Sequence, residues 1–109
     1  MTVTLVIGKT CSGKTTYIGE HYSTPTGVYI DYREDRPDSN TLMEWVRNNP
    51  NETVIIEDVA NQYIREIGLQ TIQRYRNIHW VFSALRENDV PRVLRHIANV
   101  IHIDHSMWN

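Results

Sequence analysis

The sequence predicts a three-layer α/β domain built on a five-stranded parallel sheet, with strand order 5-1-4-3-2. Three observations carry that expectation. Five short apolar runs rich in β-branched residues alternate with stretches of helical periodicity, as parallel strands joined by helical crossovers require. The first run leads directly into Gly8-Lys9-Thr10-Cys11-Ser12-Gly13-Lys14-Thr15 and then into helix-compatible sequence. The third run ends in two adjacent carboxylates, Glu57-Asp58. With 109 residues, the expectation is one domain spanning residues 1–109.

Residues 3–7 (Val3, Leu5, Val6, Ile7) form the first expected strand, apolar enough to be covered on both faces. A helix is expected from Lys14 to Tyr22, with a turn at Pro25 and Gly27. Val28-Tyr29-Ile30-Asp31 reads as the second strand, and the charged run Tyr32 to Arg36 as a solvated loop at the sheet's carboxyl edge. Asp31 is a candidate to face a ligand there, or simply ends its strand. Asp38 or Ser39 can cap a helix running to Asn48, with Thr41-x-x-Glu44 fitting a capping box one turn on. Leu42, Trp45 and Val46 share its buried face. Thr53 to Ile56 is the third strand. A helical stretch from Asn61 to Arg76 aligns Ile64, Ile67, Ile72 and Tyr75, with Gly68 as its weak point. His79 to Ser83 is the fourth strand. Asp89 can cap, and Pro91 begin, a helix burying Val93, Leu94 and Ile97; Val100 to Ile103 is the fifth strand. The polar tail from Asp104 is expected to fray.

Composition narrows the functional classes. The chain is 40% hydrophobic and 22% charged, the balance of an ordinary globule, and its net charge of −2 gives no global pull toward nucleic acid. Any such contact must come from a local basic surface. No apolar run reaches the ~18 residues of a membrane span, and the first residues lack the plan of a signal peptide. Cys11 is the single cysteine, so an intrachain disulfide is excluded and a reducing compartment is expected. The histidines His79, His96, His102 and His105 have no coherent ligand spacing, and a zinc site is not expected.

The glycine-rich stretch fits G-x-x-x-x-G-K-[ST] in the strand-to-helix context that spacing requires. Gly8 and Gly13 let the backbone curl so that successive N–H groups form an anion nest, and the new helix adds the positive end of its dipole. Lys14 would reach β- and γ-phosphates, and the Thr15 hydroxyl would ligate Mg²⁺. Two acids ending a buried strand suit the rest of that chemistry. Glu57 would meet the Mg²⁺ shell, and Asp58 would orient or deprotonate an attacking water. An acid on the third strand implies one strand between it and the loop-bearing strand, hence the order 5-1-4-3-2.

Together these segments resemble the Walker A and Walker B motifs of P-loop ATPases that carry an extra catalytic acid, which makes the expected fold a P-loop NTPase. The acids stand in inverted order, Glu57 where that family has Asp and Asp58 where it has Glu. Residues 79–91, His79 to Pro91, and 93–101, Val93 to Ile101, resemble the fourth strand, loop, helix and fifth strand of the FtsK–HerA DNA-translocating ATPases. That group includes genome-packaging ATPases of membrane-containing and archaeal viruses. Arg86, Val90-Pro91 and Asn99 match its pattern, while Leu85 stands where a γ-phosphate-sensing Gln is expected and Ser83 is the nearest polar substitute.

The resemblance spans residues 3 to 103 and implies a minimal core that binds ATP and Mg²⁺, assembles as a homo-oligomer and acts on DNA, in the cytoplasm, or the host's if viral. It implies nucleotide binding by Gly8, Lys9, Thr10, Cys11, Ser12, Gly13, Lys14, Thr15 and Thr16. Catalytic roles fall to Lys14, Glu57, Asp58, Ser83 and Arg86, and metal ligation to Thr15 and Glu57. Arg86, Arg92 and Arg95 become candidate fingers toward a neighbour's nucleotide. The same arginines, with Arg74, Arg76 and His79, read equally as a surface for nucleic-acid phosphates. Two other readings stand beside this one. The loop also resembles that of thymidine kinases, although their zinc knuckle and substrate lid have no counterpart in this sequence. A nucleotide-binding module that signals by assembly is the non-enzymatic reading.

Overall fold

β-branched and aromatic residues that fill both faces of a pleated strand leave the backbone only one way to satisfy its polar groups, in a covered sheet. Five runs of that kind do so here. The computed structural model describes residues 2–9 and 13–103. Thr10, Cys11 and Ser12 of the glycine-rich loop and the tail from Asp104 lie outside the described residues. In chain order the elements are β1 (Thr2–Ile7), α1 (Lys14–His21), β2 (Val28–Asp31), α2 (Ser39–Asn48), β3 (Thr53–Glu57), α3 (Asn61–Ile67), α4 (Leu69–Arg74), β4 (His79–Ala84), α5 (Arg92–Ile97) and β5 (Asn99–His102). The strands are all parallel in the order β2-β3-β4-β1-β5, which is the expected order read from the other edge.

Alternate strand residues feed two cores. One face gathers Val3, Leu5, Ile7, Val54, Ile56, Trp80 and Phe82 beneath helices α2 to α5, through Leu42, Val46, Ile64, Ile72 and Leu94. Trp80 and Phe82 are fully buried on the central strand and stack at 6.2 Å. Each such side chain contributes ~1.5–3 kcal/mol by leaving water. Among the described residues the other face is covered by α1: Ile18 sits over Val6, Ile55, Val81 and Ile103, flanked by Tyr17 and Tyr22. Among the described residues no helix is long and apolar enough to cross a membrane.

Several local expectations are corrected. The stretch from Asn61 is two helices, because Gly68 takes φ 90°, a left-handed conformation open to glycine, and turns the chain so that Ile67 and Ile72 both reach the core. Asp38 alone caps α2, accepting from the Thr41 N–H at 2.7 Å, so Thr41 lies inside the first turn and does not open a capping box. Asp89 does not cap α5; it closes a short 3₁₀ turn, Glu87–Asp89, by accepting from the Arg86 N–H at 3.2 Å, and Pro91 stands at the start of α5. Val93, expected on the buried side, is 54% exposed, while Leu94 is buried. β5 begins one residue early, at Asn99.

What the sheet does for function is alignment. Ile7 pairs with Ala84, Ile56 with Phe82, and Asp31 with Glu57. The carboxyl ends of β2, β3, β4 and β1 therefore finish along one edge, where ligand sites of open α/β sheets lie.

Candidate functional site

The strand-to-helix corner is pinned at both ends. Gly8 N–H donates to the Ala84 carbonyl at 3.1 Å, extending the β1–β4 ladder by one residue into the loop. Gly13, at φ 97°, turns the chain into α1, whose first residue is Lys14. Lysine is rarely buried, yet Lys14 is only 6% exposed. Its ammonium donates to the Gly8 carbonyl at 2.6 Å and lies 3.5 Å from Asp58 Oδ1. That folds the side chain back across the loop, and leaves its charge on the sheet's carboxyl edge.

One residue on, Thr15 Oγ1 donates to Glu57 Oε1 at 3.0 Å. Glu57 is the last residue of β3 and 3% exposed. Burial pushes its carboxyl above the ordinary range and the neighbouring Asp58 charge adds to this, while the Thr15 hydroxyl and the Lys14 ammonium oppose it. Asp58 follows at φ 52°, a left-handed conformation uncommon for a residue with a side chain. Two contacts hold that turn: Asp58 N–H donates to Ser83 Oγ at 2.9 Å, and Val59 N–H donates to the Ser83 carbonyl at 3.0 Å. Asp58 Oδ2 lies 3.1 Å from Arg33 Nε.

Mg²⁺ takes oxygen donors in an octahedral shell, most often one or two from protein and the rest from water and phosphate. The Thr15 hydroxyl and the Glu57 carboxylate supply such a pair, already in contact, and a buried carboxylate pushed toward its neutral form is one a cation would relieve. Among the described residues no group of three or more His, Cys, Asp or Glu gathers as an all-protein cage. The residues present fit a phosphate-bound Mg²⁺.

The sequence-derived site residues do not all converge. Gly8, Gly13, Lys14, Thr15, Glu57 and Asp58 come together at one edge. Lys9 and Thr16 flank that edge exposed, and Thr10, Cys11 and Ser12 lie outside the described residues. Ser83 is fully buried and reaches the site through the backbone N–H of Asp58. Arg86 and Arg92 are exposed and Arg95 is half-buried. No hydrogen bond or ion pair among the described residues joins these three to Lys14, Thr15, Glu57 or Asp58. Arg92 and Arg95 instead line a cavity of about 190 Å³ with Glu87, His96 and Val100, and the buried Nε of Arg95 has no partner among the described residues. Arg33 is the site residue that sequence reasoning missed. The sequence placed its loop at the sheet's carboxyl edge, but it is the register setting Asp31 beside Glu57 that brings Arg33, two residues on, to the site.

No protein-family model matches this chain, and no curated protein matches it in a sequence search.

Proposed function

We propose that the chain is a Mg²⁺-dependent ATPase. The observation that carries the reading is the convergence of Lys14, Thr15, Glu57 and Asp58. Pairs 42 and 44 positions apart in sequence meet at hydrogen-bonding range, at the mouth of a G-x-x-x-x-G-K-T loop. A carbonyl-bridged, buried ammonium and an acid pair facing it suit a terminal phosphate better than they suit any neutral ligand.

Lys14 and the loop N–H groups would hold the β- and γ-phosphates, and Thr15 and Glu57 would hold Mg²⁺, which when bound neutralises phosphate charge. Asp58 orients a water in line with the γ-phosphorus and takes its proton. The water oxygen bonds to phosphorus as the bond to the β–γ bridging oxygen breaks, giving ADP and inorganic phosphate. Ser83 serves by holding the Asp58 turn. The likeness of residues 79–101 to the FtsK–HerA ATPases extends the proposal: hydrolysis by an oligomer that moves DNA, with Arg86, Arg92 or Arg95 reaching the next subunit.

Phosphate release measured with and without DNA, beside a nucleoside phosphorylation assay, tests it. The reading expects ADP and phosphate from ATP, faster with DNA. Phosphate appearing on an added nucleoside instead would replace it with the kinase reading.

A further inference from the structure

We propose that Arg33, anchored by Asp31, is a positioning residue that fixes the Asp58 carboxylate for its work on the attacking water; this rests on the ATPase reading. The Asp58 carboxylate is held from both sides. Lys14 Nζ is 3.5 Å from Oδ1 and Arg33 Nε is 3.1 Å from Oδ2. The two cations arrive from opposite directions, one from the first turn of α1 and the other from the loop after β2.

Arg33 is itself built in. Its backbone N–H donates to Asp31 Oδ1 at 3.1 Å, and its Nε lies 3.6 Å from the same oxygen. Asp31 in turn closes the loop by accepting from the N–H groups of Glu34 and Asp35 at its carbonyl, and Tyr32 N–H donates to the Glu57 carbonyl at 3.0 Å. At the far end of the loop the Tyr63 hydroxyl donates to the Pro37 carbonyl at 2.5 Å, and Arg36 lies over the Tyr32 ring. The guanidinium is therefore carried on a braced loop, although its side chain is 62% exposed.

That exposure bears on purpose. An ion pair open to water adds little to stability, so the triad Asp31–Arg33–Asp58 is poorly suited to hold the fold together. It is suited to orienting a carboxylate. Backbone contacts to Ser83 fix the Asp58 turn but leave its side-chain torsions free, and Arg33 constrains those. When a terminal phosphate takes Lys14, Asp58 loses one cation and faces a polyanion. Arg33 is then the group that keeps it in place.

Steady-state hydrolysis of Mg·ATP by the full chain tests this, with Arg33→Ala, Arg33→Lys, Asp31→Asn and the Asp31→Asn/Arg33→Ala double variant. A carboxylate displaced by about 1 Å costs ~10²-fold, so Arg33→Ala should lose about that in kcat with KM changed less than about threefold. Arg33→Lys should recover about tenfold of the loss, and millimolar guanidinium should partly restore Arg33→Ala, which a purely structural role would not allow. Asp31→Asn should cost less than Arg33→Ala, and the double variant no more than Arg33→Ala, since both act through one carboxylate. An active wild type with an equally active Arg33→Ala, a loss confined to KM, or no response to guanidinium would overturn the Arg33 assignment alone. A wild type that neither binds nor hydrolyses Mg·ATP would overturn the ATPase reading and this inference with it.

Discussion

A carboxylate buried at the end of a strand, with one hydroxyl as its hydrogen-bond donor and a second acid beside it, costs free energy that a nearby ammonium only partly offsets and a bound cation would relieve. Glu57 is in that position, and its upward shift expresses the cost. Glu57→Gln keeps the acceptor for Thr15 and removes the charge, so the nucleotide-free protein should melt higher than wild type while the dependence of ATP binding on Mg²⁺ weakens. A lower melting temperature would show that the charge is satisfied without metal. Asp58→Asn should bind Mg·ATP and release no phosphate; if it stays active and Glu57→Gln is dead, the two acids have exchanged roles. At the opposite end of the strands, His79 Nε2 lies 2.9 Å from Thr4 Oγ1, and burial holds the imidazole below its ordinary value of 6.5. The unfolded chain therefore binds more protons between those two values, so this contribution is full above pH 6.5 and is lost as pH falls through the folded value. Denaturant midpoints of wild type and His79→Gln, measured from neutral to mildly acid pH, should converge. A gap independent of pH would mean that folding leaves the proton affinity of His79 unchanged, and a gap that widens in acid would mean that it is charged in the fold. The buried strand end that carries Glu57 was legible in the sequence; the environment of His79 was not, because burial there depends on which strand lies alongside.

Among elements, the strands were legible and the helix ends less so. β-branched runs with Gly or Asn-Pro between them have one reading; helix starts have several, since Asp, Ser and Thr compete for the same cap within a few residues. Asp38 won at α2 because its side chain reaches the Thr41 N–H. The loop after β2 shows the limit more sharply. Tyr32 to Arg36 is charged enough to read as solvated, and in composition it is. Only the β2–β3 register, with Asp31 beside Glu57, reveals that this loop overhangs the site. Tyr63 secures it: the phenol is buried and pushed up to about 12, mostly by burial and then by the charges of Glu66 and Asp38. Its folded value lies above the ordinary 10.0, so the folded state binds more protons between the two and stability falls as pH rises through that window. Tyr63→Phe should cost ~0.5–1.5 kcal/mol at neutral pH from the lost hydrogen bond. Its stability should also decline less than that of wild type across the alkaline window, in paired urea melts. Equal declines would place the titrating group elsewhere.

For the whole molecule, the sheet order β2-β3-β4-β1-β5 was legible: one strand was expected between the acid-bearing third strand and the loop-bearing first, and β4 stands there, where a nucleotide-kinase-type sheet would pair β1 with β3 directly. What one chain leaves apart is also informative. Among the described residues Arg86, Arg92 and Arg95 make no hydrogen bond or ion pair with Lys14 or Asp58, and the buried Nε of Arg95 finds no partner. If these arginines act on a neighbour, hydrolysis per chain should rise with protein concentration, and mixing Arg86→Ala with Lys14→Ala should restore activity neither has alone, a trans cation being worth ~10³–10⁵ in rate. Activity flat on dilution, with no rescue in the mixture, would make the working unit a monomer. Beneath the expectations about hydrolysis lies the claim that Lys14, folded onto the Gly8 carbonyl, is the phosphate-binding ammonium. Calorimetric titration of Mg·ATP into wild type and Lys14→Ala tests it most directly. Wild type should give saturable heat, with Kd on the order of micromolar, and the variant none; equal binding by both proteins would contradict the assignment of Lys14.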